Sequence, residues 1–209
     1  MSYIKFVLFD LGNVIVNVDK EEALRIFSDI TGEPVEKLLD FPESNLEKNF
    51  EKGKIAIEDY VAGLKRRFNL TNEVNKEELI EIWASCFKLN EQMIELVKKI
   101  DRNIKKGILS NTNPLHIESI NKNYDIFGYF DYLFFSYDFG YVKPDKRIYT
   151  SVMSKLKAKA NEIIFIDDLQ ANLLPAEKIG FHTYLFDNPE SLERYLQQKE
   201  VIGLTRKTQ

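Results

Sequence analysis

The 209-residue sequence predicts an α/β fold: a Rossmann-like, mainly parallel sheet flanked by helices, with a small all-helical module inserted after the first strand. Three observations predict it. Five short runs rich in Val, Ile, Phe and Tyr are spaced along the chain, helical periodicities separate the later runs, and the long interval between the first two runs carries apolar helical stripes with almost no strand signal.

Ile4 to Phe9 is the first strand and leads into Asp10, ahead of Leu11-Gly12-Asn13-Val14. In the insert, Ala23, Ile26, Phe27 and Ile30 form one stripe. Leu38-Leu39, Leu46 with Phe50, and Tyr60 with Leu64 and Phe68 mark three more helices, and Leu79, Ile82, Trp83 and Phe87 mark the last. Thr31-Gly32-Glu33-Pro34 and Asn69-Leu70-Thr71-Asn72 read as turns. The remaining strands are Lys106 to Leu109, Tyr132 to Ser136, Ile163 to Ile166 and His182 to Phe186. Met93, Leu96, Val97 and Ile100 place a helix before the second strand, and Ile148, Val152 and Leu156 place one before the fourth. Ala171, Leu174 and Ala176 lie in another, closed by Gly180 as a C-cap. The polar tail after Leu204 is expected to fray. The expected division is a discontinuous core, residues 1–16 and 88–209, and a helical cap, residues 17–87.

Composition narrows the function. Hydrophobic residues make up 44% and charged residues 30%, as in an ordinary globular protein, and the net charge of −4 argues against a nucleic-acid partner. Lys65-Arg66-Arg67 is the one tight basic run and reads as a solvated helix face. A single cysteine, Cys86, excludes an intrachain disulfide and reads as a core residue. With no basic region ahead of a long apolar segment, no membrane partner and a cytoplasmic location are expected.

Four fragments in order carry chemistry. Asp10 stands where an open α/β sheet places its ligand chemistry, at the end of a strand before a glycine turn. Such a carboxylate can attack phosphorus, or simply cap the turn. Ile108-Leu109-Ser110-Asn111-Thr112-Asn113 ends a strand with a hydroxyl and exposed backbone N–H groups suited to phosphoryl oxygens. Val142-Lys143-Pro144-Asp145 supplies a cation, and Asp145 reads as a helix cap. Ile163-Ile164-Phe165-Ile166-Asp167-Asp168 ends in adjacent carboxylates, which with Asp10 make an acidic pocket suited to Mg2+. Asn172 is placed to support that pair.

Together with Gly53-Lys54-Ile55 and Glu58-Asp59-Tyr60, these fragments resemble the haloacid dehalogenase superfamily of phosphohydrolases over nearly the whole chain. Within it they are similar to the small-capped sugar-phosphate phosphatases of the bacterial α-glucose-1-phosphate type. The resemblance implies a Mg2+-dependent phosphatase acting on a small phosphorylated metabolite through an aspartyl-phosphate on Asp10. It implies metal ligation by Asp10, one of Asp167 and Asp168, and the backbone carbonyl of Gly12, with Ser110, Asn111 and Lys143 on the phosphate.

Gly12 departs from the family pattern, which has a second Asp there as general acid. General acid–base help is worth about 10²–10⁴-fold, so its loss favours leaving groups of low pKa, such as an anomeric sugar hydroxyl. Asn13 cannot act as an acid, and Asp19, a conceivable substitute, reads better as the N-cap of the helix after Lys20. His116 and His182 read as ordinary structural residues, while Phe41, Asn45, Asn49 and Phe50 are candidate pocket residues early in the insert. The competing readings are a 2-haloacid dehalogenase, which needs no general acid, and a degenerate member that binds a phosphometabolite without turnover.

Overall fold

The computed structural model describes residues 3–70 and 74–203. Its strands are β1 (Phe6–Phe9), β2 (Val16–Val18), β3 (Phe87–Leu89), β4 (Lys105–Ser110), β5 (Tyr132–Phe135), β6 (Ile163–Asp167) and β7 (His182–Leu185). Its α-helices are α1 (Lys20–Thr31), α2 (Val35–Leu38), α3 (Asn45–Glu51), α4 (Ile57–Phe68), α5 (Lys76–Cys86), α6 (Glu91–Lys98), α7 (Pro114–Asn123), α8 (Ser136–Phe139), α9 (Lys146–Leu156), α10 (Gln170–Ile179) and α11 (Pro189–Gln198). No helix among the described residues is long and apolar enough to cross a membrane.

Five strands form a parallel sheet in the order β5-β4-β1-β6-β7. The chain leaves β1 towards β4 and β5, then returns to build β6 and β7 on the other side, so β1 is the switch point. Parallel strands with both faces covered read as continuous apolar runs, which is why the sequence marks them clearly. Val7, Phe9, Ile164 and Ile166 face one core with Leu192 and Leu196 of α11. Leu8, Leu109 and Phe165 face the other with Ile148, Tyr149 and Val152 of α9.

The insert between β1 and β4 is helical, as expected, with a third core built on Phe27, Leu38, Phe50, Tyr60, Leu64 and Leu79. One correction concerns its ends. Val16–Val18 and Phe87–Leu89 pair antiparallel as a separate ribbon, so Phe87 leaves the last helix and starts a strand. On α10 the buried face is Leu173 and Ala176, whereas Leu174 is exposed. The expected turn over 69–72 lies partly, and the expected tail after Leu204 wholly, outside the described residues. Asp19 and Asp145 cap their helices, accepting from the N–H groups of Glu22 and Arg147, and Gly180 closes α10 in the left-handed region.

The insert also buries a carboxyl. Glu47 on α3 is 8% exposed and accepts a hydrogen bond from the Tyr60 hydroxyl. Burial pushes its pKa up to about 7, with the Tyr60 hydroxyl holding it back and the charge of Glu51 adding to the rise. The folded state therefore holds this proton more tightly than the unfolded chain does. Stability from this group is full below the unfolded value and falls as pH rises towards the folded one, by at most about 1.4 kcal/mol per pH unit. Glu47→Gln is expected to remove that slope. Denaturant midpoints of the variant should gain on those of the parent between about pH 5 and 7.5, and parallel curves would contradict the burial argument.

Candidate active site

Three central strands deliver the polar side chains. Phe9 pairs with Ile108 on one side and Ile166 on the other, so Asp10, Ser110 and Asp167 emerge together at the C-terminal edge of the sheet. Lys143 reaches them from the segment after α8. Its ammonium lies 2.9 Å from Asp10 Oδ1 and 2.7 Å from Asp167 Oδ2, with its side chain 1% exposed.

The partners distinguish the carboxylates. Asp167 is fully buried: Oδ1 accepts from Leu169 N–H and Asn172 Nδ2, and Oδ2 from Lys143 and the same Asn172 nitrogen. Asn172, expected to support the pair, bonds Asp167 alone, and its backbone carbonyl accepts from the Tyr149 hydroxyl at 2.6 Å. Asp168 is half-buried and accepts from Asn13 Nδ2 at 3.1 Å. Neither aspartate caps α10, whose N-cap is Leu169. Asn13 sits in the left-handed region (φ 55°), which asparagine tolerates, and its side chain ties the turn after β1 to Asp168 and Val18.

Burial pushes the Asp10 carboxyl up to about 6; Lys143 pulls it down and the Asp167 charge pushes it up again. For Lys143, burial opposes the charge but the two carboxylates outweigh it and raise its pKa. The one ammonium pairs with Asp10 and Asp167, while Asp168 adds a third carboxylate, and one oxygen from each of the three lies within 4.8 Å of the others. That surplus of negative charge, on hard oxygen donors only, fits a hard divalent cation and does not fit a closed ion-pair network.

Asn111, expected with its turn on the phosphate, directs its side chain to the Lys143 backbone. Its Nδ2 donates to the Lys143 carbonyl at 2.8 Å and its Oδ1 accepts from the Lys143 N–H at 2.7 Å. Ser110 is buried, with its hydroxyl 3.4 Å from the Asn111 carbonyl. Gly12 lies half-buried in the turn after β1, and a Cβ built there would meet only Val18 Cγ2, at 3.7 Å.

Sequence reasoning missed Ser136. Its fully buried hydroxyl donates to the Glu51 carbonyl of the insert at 2.7 Å and accepts from Thr112 N–H at 3.0 Å, joining insert to turn. Beside it, Gly53 lies so close that a Cβ would fall 2.2 Å from the Tyr137 carbonyl oxygen. The available signal was position: Ser136 directly follows β5 at the same sheet edge as Ser110. His116 is enclosed by Trp83 and Phe87, and burial lowers its pKa to about 3, so it is a neutral packing residue. Phe50 stacks on Tyr60 in the insert core, whereas Phe41 lines a cavity.

A haloacid dehalogenase-like hydrolase family model matches residues 4–180. The chain belongs to that family. D-ribitol-5-phosphate phosphatase of Bacteroides thetaiotaomicron is 25% identical to it over 208 residues, covering 95% of this hydrolase and 98% of the relative. The family enzyme bt-2542 of the same species, solved with magnesium and inorganic phosphate, superposes with a TM-score of 0.79 at 27% identity, covering 88% of this hydrolase and 94% of that chain. A HAD-like family hydrolase from Porphyromonas gingivalis superposes with a TM-score of 0.81 at 26% identity, covering 94% and 99%.

Removing one partner of a buried ion pair strands the other, at a cost of about 3–5 kcal/mol. Lys143→Met in this hydrolase is expected to lose stability on that scale in urea unfolding. Adding Asp167→Asn should recover part of the loss, and additive losses in the double-mutant cycle would show that the two groups are not coupled.

Proposed function

We propose that this hydrolase is a Mg2+-dependent phosphatase of a small phosphorylated metabolite, a sugar or polyol phosphate, working through an aspartyl-phosphate on Asp10. The observation that carries the reading is the buried Lys143 ammonium shared by Asp10 and Asp167, with Asp168 beside them. The bound magnesium and phosphate of the bt-2542 structure support it.

The roles follow from the partners. Asp10 stands at the switch point and attacks phosphorus; its carboxylate oxygen forms the new P–O bond while the bond to the leaving oxygen breaks. Lys143 places positive charge on the phosphoryl oxygens as they gain charge, and Asn111 holds its backbone for that purpose. The Ser110 hydroxyl and the backbone N–H groups of the following turn bind the same oxygens. Water then attacks phosphorus, the P–O bond to Asp10 breaks, and the carboxylate and inorganic phosphate are released. Mg2+, when bound, neutralises the repulsion between an anionic nucleophile and an anionic substrate. Asp10, Asp168 and the Gly12 carbonyl would hold it. Asp167, saturated by Asn172, Leu169 and Lys143, acts one step back by setting the position of Lys143. Residues 17–87 would form the cap over this edge, joined to the core through the β2–β3 ribbon.

Gly12 bears on the substrate. Without an acid there, the oxygen that leaves must carry its own charge or take a proton from water, which favours an anomeric sugar phosphate such as glucose-1-phosphate. The Bacteroides relative is a phosphatase of ribitol-5-phosphate, a primary alkyl ester. The geometry offers a direct test, because a side chain at position 12 meets Val18 at ordinary contact distance. Gly12→Asp is expected to raise kcat/KM on ribitol-5-phosphate far more than on p-nitrophenyl phosphate, with a ceiling near the ~10²–10⁴-fold worth of general acid help. An equal effect on both esters would remove the leaving-group argument.

The phosphatase reading itself is tested by phosphate release from glucose-1-phosphate, glucose-6-phosphate, ribitol-5-phosphate, acetyl phosphate and p-nitrophenyl phosphate. Turnover should require Mg2+, stop with EDTA and vanish in Asp10→Asn. Halide release from 2-haloacids that is insensitive to EDTA, with no phosphate release, would replace it with the dehalogenase reading. Saturable phosphate binding without turnover of any ester would replace it with the binding-protein reading.

A further inference from the structure

Of the three clustered carboxylates, Asp168 has the fewest partners among the described residues. Asp167 is saturated by Lys143, Asn172 and the Leu169 N–H. Asp10 takes the Lys143 ammonium and the Leu11 N–H on Oδ1. The hydrogen-bond partner of Asp168 is the Asn13 side chain, which donates from Nδ2 to Oδ2 at 3.1 Å. The two residues meet because β1 and β6 are neighbours in the sheet.

The backbone of Asn13 is left-handed, at φ 55°. Glycine would meet that requirement without a Cβ, so what asparagine adds is the amide. The amide is oriented by its neighbours. An ionised carboxylate accepts and a backbone N–H donates, so Nδ2 faces Asp168 and Oδ1 faces the Val18 N–H, 3.4 Å away. The turn is fixed from its backbone as well. The Asn13 N–H donates to the Val16 carbonyl at 2.6 Å. In a trans peptide the N–H and C=O point in opposite directions, so this bond turns the Gly12 carbonyl away from Val16.

Building on the phosphatase reading, with Asp168 and the Gly12 carbonyl as ligands, we propose that Asn13 is a positioning residue that sets both ligands and so selects Mg2+ over Ca2+. Its side chain holds the Asp168 carboxylate through one oxygen and leaves the other for the cation. Its backbone N–H sets the direction of the Gly12 carbonyl. Mg2+ demands near-octahedral ligands and tolerates misplacement poorly, whereas Ca2+ accepts a flexible shell. Asn13 is neutral, so its contribution is geometric and leaves the charge of the site unchanged.

Asn13→Gly tests this, because glycine accepts the left-handed backbone and keeps the N–H to Val16. Isothermal calorimetry on the full chain reads Mg2+ and Ca2+ affinity without turnover. The expected loss for Mg2+ is about 10–100-fold, the scale for removing a hydrogen-bond partner of a metal ligand. Ca2+ should lose several-fold less, so the ratio of the two affinities falls. Asn13→Asp tolerates the same backbone but replaces the donor to Asp168 by a like charge. The ratio should fall there too, whatever the added charge does to both ions together. Urea midpoints of both variants in EDTA should stay near the parent's. Unchanged Mg2+ affinity in Asn13→Gly, or a parent that binds no Mg2+, would overturn the proposal. A lowered EDTA midpoint with both ions weakened alike would make Asn13 a purely structural residue and also overturn it. In turnover of p-nitrophenyl phosphate, the Mg2+ concentration for half-maximal rate should rise in Asn13→Gly more than the rate at saturating Mg2+ falls. If the parent hydrolyses no ester, the phosphatase reading fails on its own account, and the calorimetric ratio still decides the role of Asn13.

Discussion

The Lys143 ammonium between Asp10 and Asp167 is the contact on which the rest of the structure depends. Burying one lysine and two carboxylates costs several kcal/mol per ion before pairing, so each group must be held where its partner offsets the loss. The sheet order does the holding. With β1 between β4 and β6, Asp10 and Asp167 emerge side by side, and Asn111 at the end of β4 grips the Lys143 backbone at both its N–H and its carbonyl. Asn172 and Leu169 N–H then saturate Asp167. What remains is an asymmetric site in which Asp10 and Asp168 keep oxygens for a cation and a phosphoryl group.

The insert approaches this centre through Ser136 and Gly53. Ser136 links the Glu51 carbonyl to the turn after β4, and Gly53 permits an approach that any Cβ would block. The position of the insert is thus coupled to the turn that would bind phosphate, which is how a cap can exclude water and choose substrates together. Glu47 is the counter-case: a buried carboxyl bonded by the Tyr60 hydroxyl, it weakens the fold as pH rises towards neutrality.

Much of this was legible in the sequence because parallel central strands are apolar throughout. The five core strands appear as runs whose ends differ from the observed ones by a residue or two. The sequence also singled out Asp10, Lys143 and Asp167-Asp168, which the fold brings together. The β2–β3 ribbon was not legible, since three-residue strands carry no periodicity and their pairing, Val16 with Leu89, spans the whole insert. The grip of Asn111 on Lys143 was hidden for the same reason, being a contact between distant turns. Glu47 was hidden because a charged residue on a short helix reads as a solvated face, and only its burial against the Tyr60 hydroxyl shows otherwise. The separate roles of Asp167 and Asp168 needed hydrogen-bond partners, which adjacency in sequence cannot supply.

Asp10 is the residue proposed to receive the phosphoryl group, on a carboxylate oxygen. The most direct measurement is acid quenching of the Mg2+-loaded protein during turnover of acetyl phosphate, followed by mass spectrometry of its peptides. The result expected is an acid-stable, hydroxylamine-sensitive phosphoryl group on the peptide that carries Asp10, absent from Asp10→Asn. Turnover with no phosphorylated peptide, or with the group on another residue, would contradict it.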